Sequence, residues 1–156
     1  MISASPAMPS NKRSGTKLSP YEKQLRELTF FLDRNLGSRR VAEALRQAGA
    51  NVKVHADHFA ADGTDEEWLA ACGDRGWIAI TLDYRIRYRV SERDALKEHK
   101  VKAFLIARAG QMSGAALSQM LVGRLPKFVA LASQTPAPFA YRVTPSGVVT
   151  KVPFKR

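Results

Sequence analysis

Two short apolar runs, each closed by an aspartate, constrain this chain more than any other feature. They are Thr29-Phe30-Phe31-Leu32-Asp33 and Ile78-Ala79-Ile80-Thr81-Leu82-Asp83. A continuous run of apolar, β-prone residues reads as a strand buried on both faces, as in a parallel sheet, although periodicity alone also admits a buried helix. Length favours the strand, and each run is followed by a segment with a helix-start signal. In open parallel sheets ligands bind beyond the carboxyl ends of the strands. An aspartate that closes such a strand sits at that edge. Two in similar settings point to one shared acidic site.

The pattern around the runs fills in an α/β chain. Residues 1–20, rich in Ser, Pro, Lys and Ala, read as a disordered tail, and 21–28 as a short helical lead-in. Strand one covers 29–33. Ser38 is the expected N-cap of a helix carrying Val41, Ala44, Leu45 and Ala48, with Gly49 as its stop. Strand two is expected at 52–56, which completes a βαβ unit. Thr64 and Glu67 have capping-box spacing and open a helix that runs to about Asp74, with Trp68, Leu69 and Cys72 inward. Strand three begins at Trp77. A short helix capped near Ser91 follows, then strand four at 101–106. Residues 113–133 hold helical spacing, with Pro126 expected to kink or divide them. Thr144-Pro145-Ser146-Gly147 reads as a hairpin turn between Phe139–Val143 and Val148–Val152. The expected division is a basic tail and lead-in at 1–27, one domain at 28–134, and a C-terminal hairpin with a basic tail at 135–156.

Charge is distributed unevenly along the 156 residues, whose net charge is +11. Residues 28–98 hold eleven Lys/Arg against twelve Asp/Glu, whereas 99–156 hold nine Lys/Arg and no acid. A basic body around a local acidic site suits a polyanionic partner plus a cation; ordinary solubilising charge is the plainer alternative. No apolar run approaches the ~20 residues of a membrane span. The N-terminus lacks a secretory h-region, and the lone Cys72 allows no internal disulfide, so a reducing cytoplasm is the expected setting.

In a βα unit the helix starts just past the carboxyl end of its strand. Asp65, Glu66 and Glu67 should therefore share an edge with Asp33 and Asp83. Any single acid has a structural explanation: first-turn acids favour the helix dipole, Glu67 serves the cap, and an Asp after a strand makes a turn. Asp33 and Asp83 together are harder to explain this way, because like charges at neighbouring strand ends repel and a cation relieves them. Oxygen-only donors without a His or Cys cluster point to Mg²⁺ or Mn²⁺. Arg34, Arg39 and Arg40 follow the first Asp. Arg85, Arg87 and Arg89 follow the second, alternating with Tyr84 and Tyr88, which suits phosphate contacts and stacking as well as it suits a solvated loop. His55 and His58 read as a plain loop pair, and Trp68 and Trp77 as core. Neither a Gly-rich phosphate loop nor a nucleophile elbow is present.

Phe31-Leu32-Asp33-Arg34-Asn35-Leu36, Thr64-Asp65-Glu66-Glu67-Trp68-Leu69 and Ile80-Thr81-Leu82-Asp83 resemble the PIN-like domains, in particular the subgroup related to VapC-type toxins of bacterial toxin–antitoxin pairs. The resemblance spans about residues 28–110, with its specificity in the order and spacing of short motifs. It implies a three-layer α/β/α fold around a mostly parallel sheet, and a Mg²⁺- or Mn²⁺-dependent ribonuclease that gathers three or four carboxylates. Asp33 matches the strand-one acid, Asp83 the acid of the Thr-x-Asp strand, and either Asp65 or Glu66 the helix acid. The metal would fall to Asp33, Asp83 and Glu66 or Asp65. Where the family often has a further Asp or Asn, this chain has Tyr84, Arg85 and Ile86; Asp57 could stand in. The expectation is an endoribonuclease toxin acting on RNA, with a cognate antitoxin and no membrane; a homodimer stays open. The alternative is a PIN-like module that binds RNA or a partner protein without cutting.

Overall fold

The computed structural model describes residues 17–34, 36, 39–82, 90–107 and 112–153. Six strands form one sheet in the order β2-β1-β3-β4-β5-β6. They are β1 (Thr29–Leu32), β2 (Asn51–Val54), β3 (Ile78–Leu82), β4 (Lys102–Ile106), β5 (Phe139–Val143) and β6 (Val149–Lys151). The first five are parallel, and β6 returns antiparallel on β5. The five helices described are α1 (Pro20–Glu27), α2 (Arg39–Gln47), α3 (Asp65–Arg75), α4 (Val90–Glu98) and α5 (Gly114–Gln134).

Alternation along the strands builds the three layers. Phe30, Leu32, Ile78, Ile80, Phe104 and Phe139 point to one face, where they join Leu25 of α1, Val41 and Leu45 of α2, and Leu121 and Phe128 of α5 in one core. Phe31, Ala79, Ala103, Leu105 and Ala140 point to the other, against Trp68, Leu69 and Cys72 of α3 and Ala95 and Leu96 of α4. Every residue of β3 is buried, which is why the run lacks a polar alternation. Alanines dominate the second face, so α3 and α4 lie close to the sheet and to each other. A Cβ at Gly73 would sit 2.0 Å from the His99 carbonyl oxygen, so only glycine fits there.

Several boundaries differ from the sequence expectation. Pro20 belongs to α1, not to the tail: Ser19 caps that helix, its hydroxyl accepting from Glu22 N at 3.1 Å while its own N–H donates to Glu22 Oε1 at 2.9 Å. β2 ends at Val54, and His55–Asp57 form a 3₁₀ turn instead of continuing the strand. Helix α4 begins at Val90, so Ser91 is inside it rather than its cap, and its hydroxyl donates to Glu92 Oε2 at 2.7 Å. Pro126 does not divide α5. It sits on the exposed side, while Leu121, Leu125, Phe128 and Val129 hold both halves of the helix to the sheet. The hairpin turn forms as expected, with Gly147 at φ 93° and its N–H donating to Thr144 O at 2.8 Å. Ser38, the expected N-cap of α2, lies outside the described residues.

Candidate active site at the β1–β3 switch point

The chain leaves β1 toward β2 on one side, and leaves β3 toward β4 on the other. Between two such strands the following loops diverge, and the crevice at their carboxyl ends is where open α/β sheets bind ligands. Asp33 stands there. Its N–H donates to Ile80 O at 3.1 Å, which extends the β1–β3 ladder by one residue, and its carbonyl accepts from Leu36 N at 2.8 Å to start the turn. Leu32 is in register with Val54 on β2 and Ile80 on β3. One step further, His55, Asp33 and Thr81 form a row across three neighbouring chain segments. Thr81 Oγ1 donates to Asp33 Oδ2 at 2.6 Å, the short distance of a charge-assisted bond, and both residues are fully buried.

Asp65 reaches the same edge from the first turn of α3. It is buried, and its Oδ1 accepts from Trp68 Nε1 at 3.1 Å. The Trp68 ring stacks on Phe31 of β1 at 5.3 Å, so the acid is anchored through the core under the sheet edge. Glu66 is exposed. The difference was legible in the spacing: Asp65 shares a helical stripe with Trp68, Leu69 and Cys72, whereas Glu66 is turned away by one helical step. Glu67 closes the helix start, its N–H bonded to Thr64 Oγ1 at 3.3 Å and its carboxylate lying back over Gly63.

His55, read from the sequence as half of a plain loop pair, opens the 3₁₀ turn after β2 and is buried. Its ring packs at 5.4 Å from Phe59 and 6.3 Å from Phe31. Burial lowers its pKa, the charge of Asp33 opposes that, Arg34 reinforces it, and Asp65 opposes it more weakly. The imidazole is therefore held near both carboxylates in a setting that disfavours its charged form. His58, in contrast, is exposed, with its ring edge-on to Trp77 at 5.3 Å. An acid that the sequence reading passed over is Glu92, buried in the first turn of α4, the helix that follows β3. Asp57 is exposed on the 3₁₀ turn. Cys72 is packed in the core, where burial pushes its thiol pKa up and away from reactivity.

The basic frame is partly described. Arg34 donates through Nη1 to Ala61 O, tying the loop after β1 to the loop before α3. Arg39 and Arg40 are exposed on the first turn of α2, which carries no acid. Asp83, Arg85, Arg87 and Arg89 lie outside the described residues. Among the described residues no three His, Cys, Asp or Glu side chains are grouped as a metal site. The donors at the edge are carboxylate and hydroxyl oxygens, which suit a hard divalent cation, with the His55 imidazole beside them. Asp83 is one residue beyond β3.

A family model described as a PIN like domain matches residues 28–108, more than half of the chain, and the chain belongs to that family. Among curated proteins it is similar to "Putative ribonuclease VapC45" of Mycobacterium tuberculosis, with 29% identity over 124 residues that cover 77% of this chain and 88% of the relative. No solved structure is a significant match. No helix among the described residues is long and apolar enough to cross a membrane.

Proposed function

We propose that this protein is a divalent-metal-dependent endoribonuclease of PIN type, the toxin of a toxin–antitoxin pair that works in the cytoplasm. The observation that carries the reading is the buried Asp33 at the β1–β3 switch point, bonded to Thr81 and approached by Asp65 from α3. The similarity to a protein named as a ribonuclease supports the same chemistry. Asp33, Asp83 and Asp65 would hold Mg²⁺ or Mn²⁺, with Asp65 preferred over Glu66 because it is the one turned inward. Such a cation supplies Lewis acidity toward water and phosphate oxygen. Thr81 fixes the Asp33 carboxylate so that it presents one orientation to the edge. Glu92 takes the role of the further acid for which Asp57 is too exposed. Arg34, Arg39 and Arg40, with Arg85, Arg87 and Arg89, position the RNA backbone through its phosphates.

A non-cutting module that binds RNA or a partner protein is the second reading. It draws on one feature, the Tyr84-Arg85-Ile86 stretch where the family often carries a further acid or amide. Incubation of a mixed RNA pool with the protein in Mg²⁺, Mn²⁺ or EDTA separates the two. The nuclease reading expects cleavage with either metal, none in EDTA, and none from Asp33→Asn. Intact RNA under every condition, with binding retained, would establish the second reading instead.

A further inference from the structure

On the second face of the sheet, a row of rings runs from the acidic edge out to the surface beside β2. Buried His55 lies 5.4 Å from the half-buried ring of Phe59, and Phe59 lies 6.4 Å from exposed His58. His58 in turn meets half-buried Trp77 edge-on at 5.3 Å. Arg75, exposed at the end of α3, holds its guanidinium over the Trp77 ring at 4.9 Å. The strand register explains why this surface is open. Phe31 pairs with Ala79 of β3 on one side and with Lys53 of β2 on the other. Ala79 is too small to cover Phe31, so Trp77 lies against it at 5.8 Å, the two rings within 13° of parallel. Lys53 is exposed, so the face stays open over β2, the edge strand. Core packing accounts for Phe31 and for the inner side of Trp77. It does not account for His58 and Arg75, which are exposed and yet gathered on one indole.

We propose that this flank is a stacking subsite for an unpaired RNA base, beside the nucleotides held at the acids: the base lies on the Arg75 guanidinium and the His58 ring, with Trp77 beneath them. The inference rests on the reading that the chain acts on RNA, but not on cleavage itself. Proteins hold single-stranded RNA by stacking its bases on aromatic rings and arginine planes, which accept any base. The rings begin at His55, whose charged neighbours include Asp33 and Asp65, so a strand held at the carboxylates has them directly alongside. Charge alone does not define the patch. Lys53 and Arg75 are exposed there, but so are Asp57 and Asp74, next in the chain to His58 and Arg75. Stacking must therefore carry the interaction, and a duplex, whose bases are already stacked on one another, gains nothing from it.

The test measures binding by the full chain in EDTA, so that no cleavage enters. A fluorescein-labelled single-stranded RNA of mixed sequence, roughly 12 nucleotides long, is titrated by fluorescence anisotropy, alongside the same strand annealed to its complement. His58→Ala combined with Arg75→Ala should bind the single strand at least about tenfold more weakly than wild type, and the duplex no differently. Both side chains are exposed, so the melting temperature should stay that of wild type. Arg75→Lys keeps the charge and loses the plane. It should weaken single-strand binding without changing its salt dependence, because no phosphate contact is lost. His58→Phe keeps a ring and should bind as wild type does. Equal affinity of wild type and the double variant for the single strand, wild-type binding by Arg75→Lys, or an equal loss on the duplex would overturn the proposal. So would failure of wild type to bind the single strand at all. Cleavage in Mg²⁺ or Mn²⁺ is scored separately. RNA left intact by wild type, with single-strand affinity still lost in the double variant, refutes the nuclease reading and leaves the subsite standing. Cleavage by wild type, with unchanged binding in the double variant, does the reverse.

Discussion

Thr81→Val isolates the bond that orients Asp33. Valine keeps the β-branched shape that suits the buried centre of β3, and removes only the hydroxyl. The lost contact is a 2.6 Å bond to a carboxylate oxygen between two fully buried residues. Hydrogen bonds to charged groups contribute ~1.5–3 kcal/mol, and the carboxylate oxygen keeps its desolvation cost once its donor is gone. At ~2–4 °C per kcal/mol for a chain of about this size, the melting temperature should fall by roughly 3–12 °C. Thr81→Ser retains the hydroxyl and should recover much of that loss, less the packing of one methyl group. Urea denaturation of the two variants and wild type measures the difference directly. In the double variant Asp33→Asn with Thr81→Val, the cost of the threonine change should be smaller than in wild type, because a neutral amide needs the donor less. If Thr81→Val is as stable as wild type, or Thr81→Ser is as unstable as Thr81→Val, the hydroxyl does not hold the carboxylate and this account of the site's rigidity is wrong.

Other expectations follow from separate parts of the fold. Gly73→Ala places a methyl group 2.0 Å from the His99 carbonyl, so α3 and α4 must separate; a loss of ~1–3 kcal/mol in chemical denaturation is expected, and a neutral result would contradict the close approach. His55 has a folded pKa below its ordinary 6.5, with burial the main cause and Asp33, Arg34 and Asp65 the charges that face it. The unfolded chain then binds the proton more readily, so His55 contributes stability at neutral pH that is lost as pH falls below about 6.5. A His55→Gln variant should show a flatter stability profile between neutral pH and pH 5; an identical slope would place the titrating group elsewhere. Asp65→Asn should impair cleavage far more than Glu66→Gln, with the fold retained in both by circular dichroism, and the reverse order would return the helix-acid role to Glu66.

How far the sequence could be read depended on what each signal measures. β1 and β3 were legible because a strand covered on both faces needs apolar residues at every position, and Phe30-Phe31-Leu32 and Ile78-Ala79-Ile80 supply them. The Thr64 cap and the Gly147 turn were legible because each depends on a few local atoms. β2 was read too far, since Val52 and Val54 alternate without showing where pairing with β1 ends; the burial of His55 was not legible because Phe31 and Phe59, against which it packs, come from elsewhere in the chain. Pro126 was expected to kink or divide α5 from local backbone chemistry alone; the helix runs undivided across it, held to the sheet by packing on either side. Which of Asp65 and Glu66 is turned inward depends on the rotation of α3, which the stripe through Trp68, Leu69 and Cys72 already encoded. Glu92 was missed because its burial arises from how α4 packs, and no spacing in the chain announces that.

The central claim is that the acids at the β1–β3 edge form one site for a divalent cation, and metal-linked melting tests it without any substrate. Binding to the folded state alone adds RT ln(1 + [L]/Kd), about 2.7 kcal/mol at a hundredfold excess over Kd. At ~2–4 °C per kcal/mol, wild type should melt roughly 5–11 °C higher in saturating Mn²⁺ than in EDTA. Asp33→Asn, which can still accept the Thr81 hydroxyl, and Asp83→Asn should each fold and yet respond little to Mn²⁺. A Mn²⁺ response of equal size in all three proteins, or none in wild type, would contradict the claim.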